Sequence, residues 1–222
     1  MAKYIDHTLL NPHARVIEIQ ALCQEAIKHG FYAVCVNPYH VSQAKRALSA
    51  SKVKVATVVG FPLGANITEV KVIETKRAIA DGADEIDMVI NIGALKSGDL
   101  DYVEAEIAEI VKAAGDIPVK VIIECDLLND EEKVVATKAC IKSAAFMVKT
   151  STGFVKDGKG ATVEDITLMK KTIANHKLEI KASAGIRDTA KAKALVEAGA
   201  TRLGTSAGVA IVEGAATAFS SY

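Results

Sequence analysis

The sequence predicts an α/β fold, a single-domain (β/α)8 barrel, on three observations. Short β-branched runs recur eight times along 222 residues, each is followed by a polar loop and a segment of helical periodicity, and a glycine often precedes the next run. Runs this apolar suit parallel strands covered on both faces. Eight strands alternating with helices in this length close a compact barrel, and half of the residues are apolar, enough for the core of one domain. A doubly wound open sheet shares this grammar and is the rival architecture.

The first strand is expected at Tyr4–Thr8. The clearest strands follow at Ala33–Asn37, Lys54–Gly60, Glu85–Asn91, Val119–Glu124, Phe146–Ser151 and Glu179–Ser183, and a weaker one closes the set at Thr201–Thr205. Between them, apolar Val70, Ile73 and Ala80 predict a helix over Ile67–Asp81, with Asn66 as its N-cap and Gly82 past its end. Thr162 opens another helix with a hydroxyl cap, and Glu164 and Asp165 suit the positive end of its dipole. Asp188 caps a helix over Thr189–Ala198, with Gly199 beyond it. Pro38, Pro62 and Pro118 fall at strand ends. No linker or charge block divides the chain, so residues 1–222 are expected as one barrel domain, with 220–222 a mobile C-terminal tail.

Lys plus Arg equals Asp plus Glu, 27 against 27, so no global field favours nucleic acid or an anionic membrane surface. No apolar run has the length of a membrane span, and the N-terminal MAKYIDHTLL lacks the apolar core of a signal peptide. Cys23, Cys35, Cys125 and Cys140 form no C-x-x-C pair and read as reduced, buried thiols of a cytoplasmic protein.

Three strands carry an ionisable residue where an apolar one belongs: Asp87 in EIDMVIN, Lys149 in FMVKTS and Lys181 in EIKAS. Each taken alone fits an outward-pointing side chain or a frayed strand end. Taken together they point inward, because neighbouring strands lie about 4.8 Å apart and two inward lysines on strands six and seven share one small volume. A free lysine is neutral only in about one molecule in 2,500 at pH 7. A second ammonium at about 4 Å is worth on the order of 4 kcal/mol at an effective dielectric near 20, or about three pKa units, and desolvation acts in the same direction. The pair is thus large enough to activate a Schiff-base lysine, with Asp87 as the carboxylate for proton transfer.

The five histidines form no H-x-x-x-H or H-E-x-x-H pattern and no cluster with cysteine, so covalent catalysis without a metal or other cofactor is expected. His7 stands apart because it lies in the first strand. Small residues follow the last three strands, in TSTG (150–153), SAGIR (183–187) and GTSAG (204–208). Barrels often hold phosphate in such loops, where glycine lets the backbone approach an anion, although glycine also serves ordinary turns. Arg187 either reinforces that site or sits on the surface.

The segments YIDHTLL (4–10), VCVNP (34–38), GFPLGAN (60–66), EIDMVIN (85–91), VKTSTGF (148–154), KASAGIR (181–187) and GTSAGVAIV (204–212) resemble the deoxyribose-phosphate aldolase family in order and spacing, from about residue 4 to 212. The resemblance implies a class I aldolase on a TIM barrel that reversibly cleaves 2-deoxy-D-ribose 5-phosphate to D-glyceraldehyde 3-phosphate and acetaldehyde. It implies Lys149 as Schiff-base nucleophile, Lys181 as the lysine that lowers its pKa, Asp87 as acid/base, and Asp6 and Thr8 as assistants to the relay. Cys35 matches a cysteine near the site. Gly153, Gly185, Ile186, Arg187, Gly204, Thr205 and Ser206 fall where the family holds the phosphate, and Tyr222 matches a mobile terminal tyrosine. A homodimer is the oligomer the family suggests. Ala184 stands where the family has a glycine, and its Cβ is expected to crowd the phosphate loop. Ser143-Ala144-Ala145 and Glu124-Cys125-Asp126 also depart from the pattern. The alternatives are a related Schiff-base aldolase or transaldolase-like barrel acting on another sugar phosphate, and a barrel that binds a sugar phosphate without turnover.

Overall fold

The computed structural model describes residues 1–214, and its eight strands form one closed parallel barrel in sequence order. Closure decides against the open sheet: β1 (Ile5–Leu9) pairs with both β2 (Ala33–Val36) and β8 (Arg202–Thr205). Between them run β3 (Lys54–Val59), β4 (Glu85–Val89), β5 (Val119–Ile122), β6 (Met147–Lys149) and β7 (Glu179–Ser183). Eight strands thus stand where expected, but most end earlier than the apolar runs do. Asn37, Gly60, Asn91, Glu124, Thr150 and Ser151 leave the ladder and begin the loops that build the upper face.

Helices α1 (Val16–His29), α2 (Val41–Ala47), α3 (Thr68–Ala80), α4 (Ile92–Lys96), α5 (Leu100–Ala114), α6 (Asp130–Lys142), α7 (Val163–Ile173), α8 (Thr189–Ala198) and α9 (Gly208–Glu213) surround the barrel. The main apolar core lies between strands and helices, through residues such as Ile19, Leu22, Val34, Ile86, Ile107, Ile110, Val148, Ile166 and Leu203. A second, smaller cluster of Leu10, Cys35, Ala56 and Val58, with Phe61 against it, is separate from that shell. Thr162 and Asp188 cap α7 and α8 as expected. At α3 the expectation fails: the helix starts one residue later, its cap position is Ile67, and no side chain closes it. The Thr68 hydroxyl bonds instead to Tyr102 Oη at 3.2 Å. Ala144 departs from glycine at the turn into β6 and still adopts the left-handed conformation, with φ +55°.

One buried ion pair ties the outer layer to the loops above the barrel. Lys71 of α3 donates to Glu106 of α5 at 2.6 Å, and also to the carbonyls of Gly64 and Val89 at 2.7 and 2.9 Å. The other Glu106 oxygen accepts from Asn91 N at 2.8 Å. Burial depresses the Lys71 pKa and raises that of Glu106, and their mutual attraction opposes both shifts. Gly64 meets this knot at φ +67°, where a Cβ would lie 1.9 Å from the Ile90 carbonyl oxygen, so no other residue fits. Lys71→Met leaves Glu106 buried without its cation. The expected outcome is a loss of about 3–5 kcal/mol in urea unfolding, the cost of breaking a buried pair from one side.

Candidate active site

Strand alternation sorts the β1 residues. His7 faces the helix layer, where its Nε2 lies 2.7 Å from Glu25 of α1 and its ring packs on Phe31. Burial lowers the His7 pKa against the pull of Glu25. The flanking Asp6 and Thr8 point the other way, into the barrel, and there Asp6 joins a layer of charge. Asp87 Oδ2 accepts from Lys149 at 2.7 Å and from Lys181 at 2.8 Å, while Asp87 Oδ1 accepts from Lys120 at 2.7 Å. Asp6 accepts from Lys181 through Oδ2 and from Arg202 at 3.0 Å through Oδ1. Glu85 Oε2 receives both Arg202, at 2.9 Å, and Lys120, at 2.6 Å. The register makes this possible: Asp87 pairs across the ladder with Lys120, and Lys149 with Lys181. The two lysines expected to share a volume do so through one carboxylate oxygen.

These side chains are at most 4% exposed, and they comprise four cations (Lys120, Lys149, Lys181, Arg202) and three carboxylates (Asp6, Glu85, Asp87). Burial works against every charge, and partners decide the outcome. Burial raises the Asp6 carboxyl, yet Lys181, Lys120 and Arg202 outweigh it and hold Asp6 at about 2. Lys120, Lys149 and Lys181 hold Asp87 well below the usual carboxylate range. Against the same burial, Asp87, Asp6 and Glu85 push Lys120 up, and Asp6 and Asp87 push Lys181 up. Lys149 goes the other way. Burial lowers it, Asp87 only partly opposes, and Lys181 adds to the depression. Desolvation is therefore the leading cause, ahead of the like-charge pair that the sequence suggests. Lys181 acts from behind a shared carboxylate, which blunts its repulsion.

Above this layer lies a cavity of about 280 Å³ at the C-terminal ends of the strands. Lys149 and Thr8 reach it, and so do all seven residues expected to hold phosphate: Gly153, Gly185, Ile186, Arg187, Gly204, Thr205 and Ser206. Asp6, Asp87 and Lys181 lie beneath its floor. The Thr8 hydroxyl donates to the Asp6 carbonyl at 2.9 Å, and Thr205 donates to the Ile186 carbonyl at 2.7 Å, tying two of the loops together. Tyr222 lies outside the described residues. Ala184 takes the glycine-like conformation at φ +69° and lines the cavity. Its Cβ is accommodated because Gly153 and Gly160 face it without side chains; a Cβ on Gly153 would come within 3.3 Å of it. Among the described residues, no group of three His, Cys, Asp or Glu side chains is arranged to hold a metal ion.

Sequence reading misses Lys120, Glu85 and Arg202. Lys120 carries the signal that marks Asp87, a charge interrupting an apolar strand. Glu85 and Arg202 carry a weaker one, because a charge on the first residue of a strand resembles a frayed end. Glu124 and Asp126 are also missed: Glu124 accepts from the Thr152 backbone and hydroxyl, and Asp126 from the backbone of Lys159 and Gly160 at 2.9 and 3.0 Å. They pin the loop after β6 over the cavity.

A closed barrel with a desolvated lysine below a loop-lined cavity defines a small-molecule enzyme rather than a scaffold. The chain belongs to the family described as DeoC/LacD family aldolase, whose model matches residues 1–214. A relative from Brevibacillus brevis named deoxyribose-phosphate aldolase is 57% identical over 222 residues, covering 100% of this chain and 99% of its own. One of the same name from Thermococcus gammatolerans is 57% identical, covering 98% and 97%. A solved structure of deoxyribose phosphate aldolase from Aeropyrum pernix, described as a unique tetramer, superposes with a TM-score of 0.88 at 33% identity, covering 96% and 89%. Among the described residues, no helix is long and apolar enough to cross a membrane.

The depressed Asp6 gives a stability test. Its ordinary value is 3.8 and its folded value about 2, so its contribution is complete above 3.8 and disappears as pH falls through 2. That amounts to about 2 kcal/mol by linkage. Asp6→Asn is expected to flatten the stability-against-pH curve over this window in urea titrations, and an unchanged slope would refute the assignment.

Proposed function

We propose that the protein is a Schiff-base aldolase that reversibly cleaves 2-deoxy-D-ribose 5-phosphate to D-glyceraldehyde 3-phosphate and acetaldehyde. The observation that carries this reading is the depressed, buried Lys149 amine at the floor of a cavity walled by the loops after β6, β7 and β8. The names of the relatives supply the substrate. In the synthetic direction, neutral Lys149 adds to acetaldehyde and loses water to give the imine. The protonated imine draws electrons from the methyl carbon, whose proton leaves through Asp87 and Lys181. Two short contacts to one Asp87 oxygen favour that route. The enamine attacks the aldehyde of glyceraldehyde 3-phosphate, and hydrolysis frees the product and Lys149. Asp6 and Thr8 support the relay. Gly153, Gly185, Ile186, Arg187, Gly204, Thr205 and Ser206 hold the phosphate, whose binding energy orients the acceptor aldehyde.

Borohydride added with acetaldehyde is expected to leave a two-carbon adduct on Lys149, mapped by peptide mass spectrometry, and Lys149→Leu to abolish both adduct and turnover. Turnover of 2-deoxyribose 5-phosphate should persist in a chelator and exceed that of other sugar phosphates. An adduct on a different lysine would overturn the mechanism, and preference for another sugar phosphate would overturn the substrate.

We also read the protein as cytoplasmic, with four free and buried thiols in support, and as a homodimer. Exposed Leu63 precedes α3, Ile67 follows four residues on, and Val70 and Ile73 continue at three-residue steps, giving four exposed apolar side chains beside the loops over the barrel. Light scattering is expected to give twice the chain mass, and Ile73→Lys to give the monomer.

A further inference from the structure

Two of the buried charges never meet the substrate. Glu85 begins β4 and Arg202 begins β8, at the end of the barrel opposite the cavity, and neither lines it. Arg202 bridges Asp6 and Glu85 and lies over the Tyr32 ring, its Cζ 3.4 Å from the centroid. Glu85 also holds Lys120, which reaches Asp87 on the far side. An unbroken series of contacts therefore runs from Arg202 through Glu85, Lys120 and Asp87 to Lys149. The charged and titratable groups facing this interior are Asp6 from β1, Cys35 from β2, Glu85 and Asp87 from β4, Lys120 from β5, Lys149 from β6, Lys181 from β7 and Arg202 from β8, and buried Glu124, just past β5, acts on Lys149 from the loop side. Lys54 of β3 reaches only the rim, 42% exposed and 3.9 Å from Glu85. The Cys35 thiol is pushed up by burial and stays neutral.

We propose that Arg202 and Glu85 are positioning residues that fix the charge state of Lys149 by setting the charge balance of the buried layer beneath the cavity. Within the layer of seven side chains, three cations meet three carboxylates when Lys149 is neutral, and one more positive charge is present when it is protonated; Glu124 lies outside that layer and is common to both states. Arg202, Glu85, Lys120 and Asp87 are buried and little screened by solution ions, so a change at the bottom of the layer is felt at the top. Removing the Arg202 charge leaves the carboxylates one cation short, and Lys149 holds its proton to higher pH. Removing the Glu85 charge leaves the cations in excess, and Lys149 loses its proton at lower pH. A residue acting only through packing has no reason to produce opposite signs.

The inference rests on Lys149 being the Schiff-base lysine, and the experiment separates the two. kcat/KM for 2-deoxyribose 5-phosphate cleavage and the rate of borohydride trapping with acetaldehyde are measured against pH. The acid limb, where Lys149 becomes protonated, is expected to move up by about one pH unit in Arg202→Met and down by about one unit in Glu85→Gln. The double variant should return close to the native limb, and Arg202→Lys should keep it. Where Arg202→Met does not fold, Lys54→Met at the rim reports the same upward sign with a smaller shift, beside the near-isosteric Glu85→Gln. Limbs that stay put, or single variants that move the limb the same way, overturn the proposal. Loss of the adduct from the native protein would instead overturn the Schiff-base reading itself.

Discussion

The structure depends on burying a carboxylate that three lysines share. A buried carboxylate without partners is intolerably costly, and so is a buried ammonium. Asp87 is tolerated because β5, β6 and β7 each bring a lysine to it, and those lysines are tolerated because Asp87, Asp6 and Glu85 receive them. No local segment makes this arrangement. Asp6 meets Lys181 and Arg202 only once β1 closes against β8, almost the whole chain away. The charged layer and the closed barrel therefore require each other. The apolar shell between strands and helices supplies the favourable burial that offsets a polar interior.

The loops above repeat this logic on a smaller scale. Chain leaving a strand carries backbone groups that need partners, and here acidic side chains, two of them buried, supply several. Glu106 takes the Asn91 amide, Glu74 takes that of Gly60 at 2.8 Å, and Glu124 and Asp126 take four donors from residues 152–160. A cavity wall built this way is stiff without needing regular structure. Of these acids, Asp126 also lines the cavity.

Much of this was legible in the residues. Strand–helix alternation is a periodic, local signal, and it carried the barrel and the caps at Thr162 and Asp188. Inward charges in otherwise apolar strands marked Asp87, Lys149 and Lys181. The misses have a common physical origin. Where a strand stops is decided by its neighbour's length, so Asn91 and Ser151 look like strand and are loop. Glu85 and Arg202 look like frayed ends because a linear sequence does not show which strand ends a closed barrel seals. Ala184 looked like an obstruction because the two glycines that make room for it, Gly153 and Gly160, lie elsewhere along the chain.

Counting partners separates Lys149, the lysine proposed as nucleophile, from the other two. Lys120 has three carboxylates within 3.6 Å, Lys181 has two, and Lys149 has one. Burial disfavours the charge on all three; the carboxylates around Lys120 and Lys181 raise them above a free lysine, while Lys149, with one, falls below it. It is also the lysine that reaches the cavity. Position in the network thus distinguishes the three amines: the one with fewest anions around it is also the one that reaches the cavity. A neighbouring ammonium is then a secondary influence: burial within the barrel, with a single carboxylate at hand, is the leading cause of the depressed Lys149 amine.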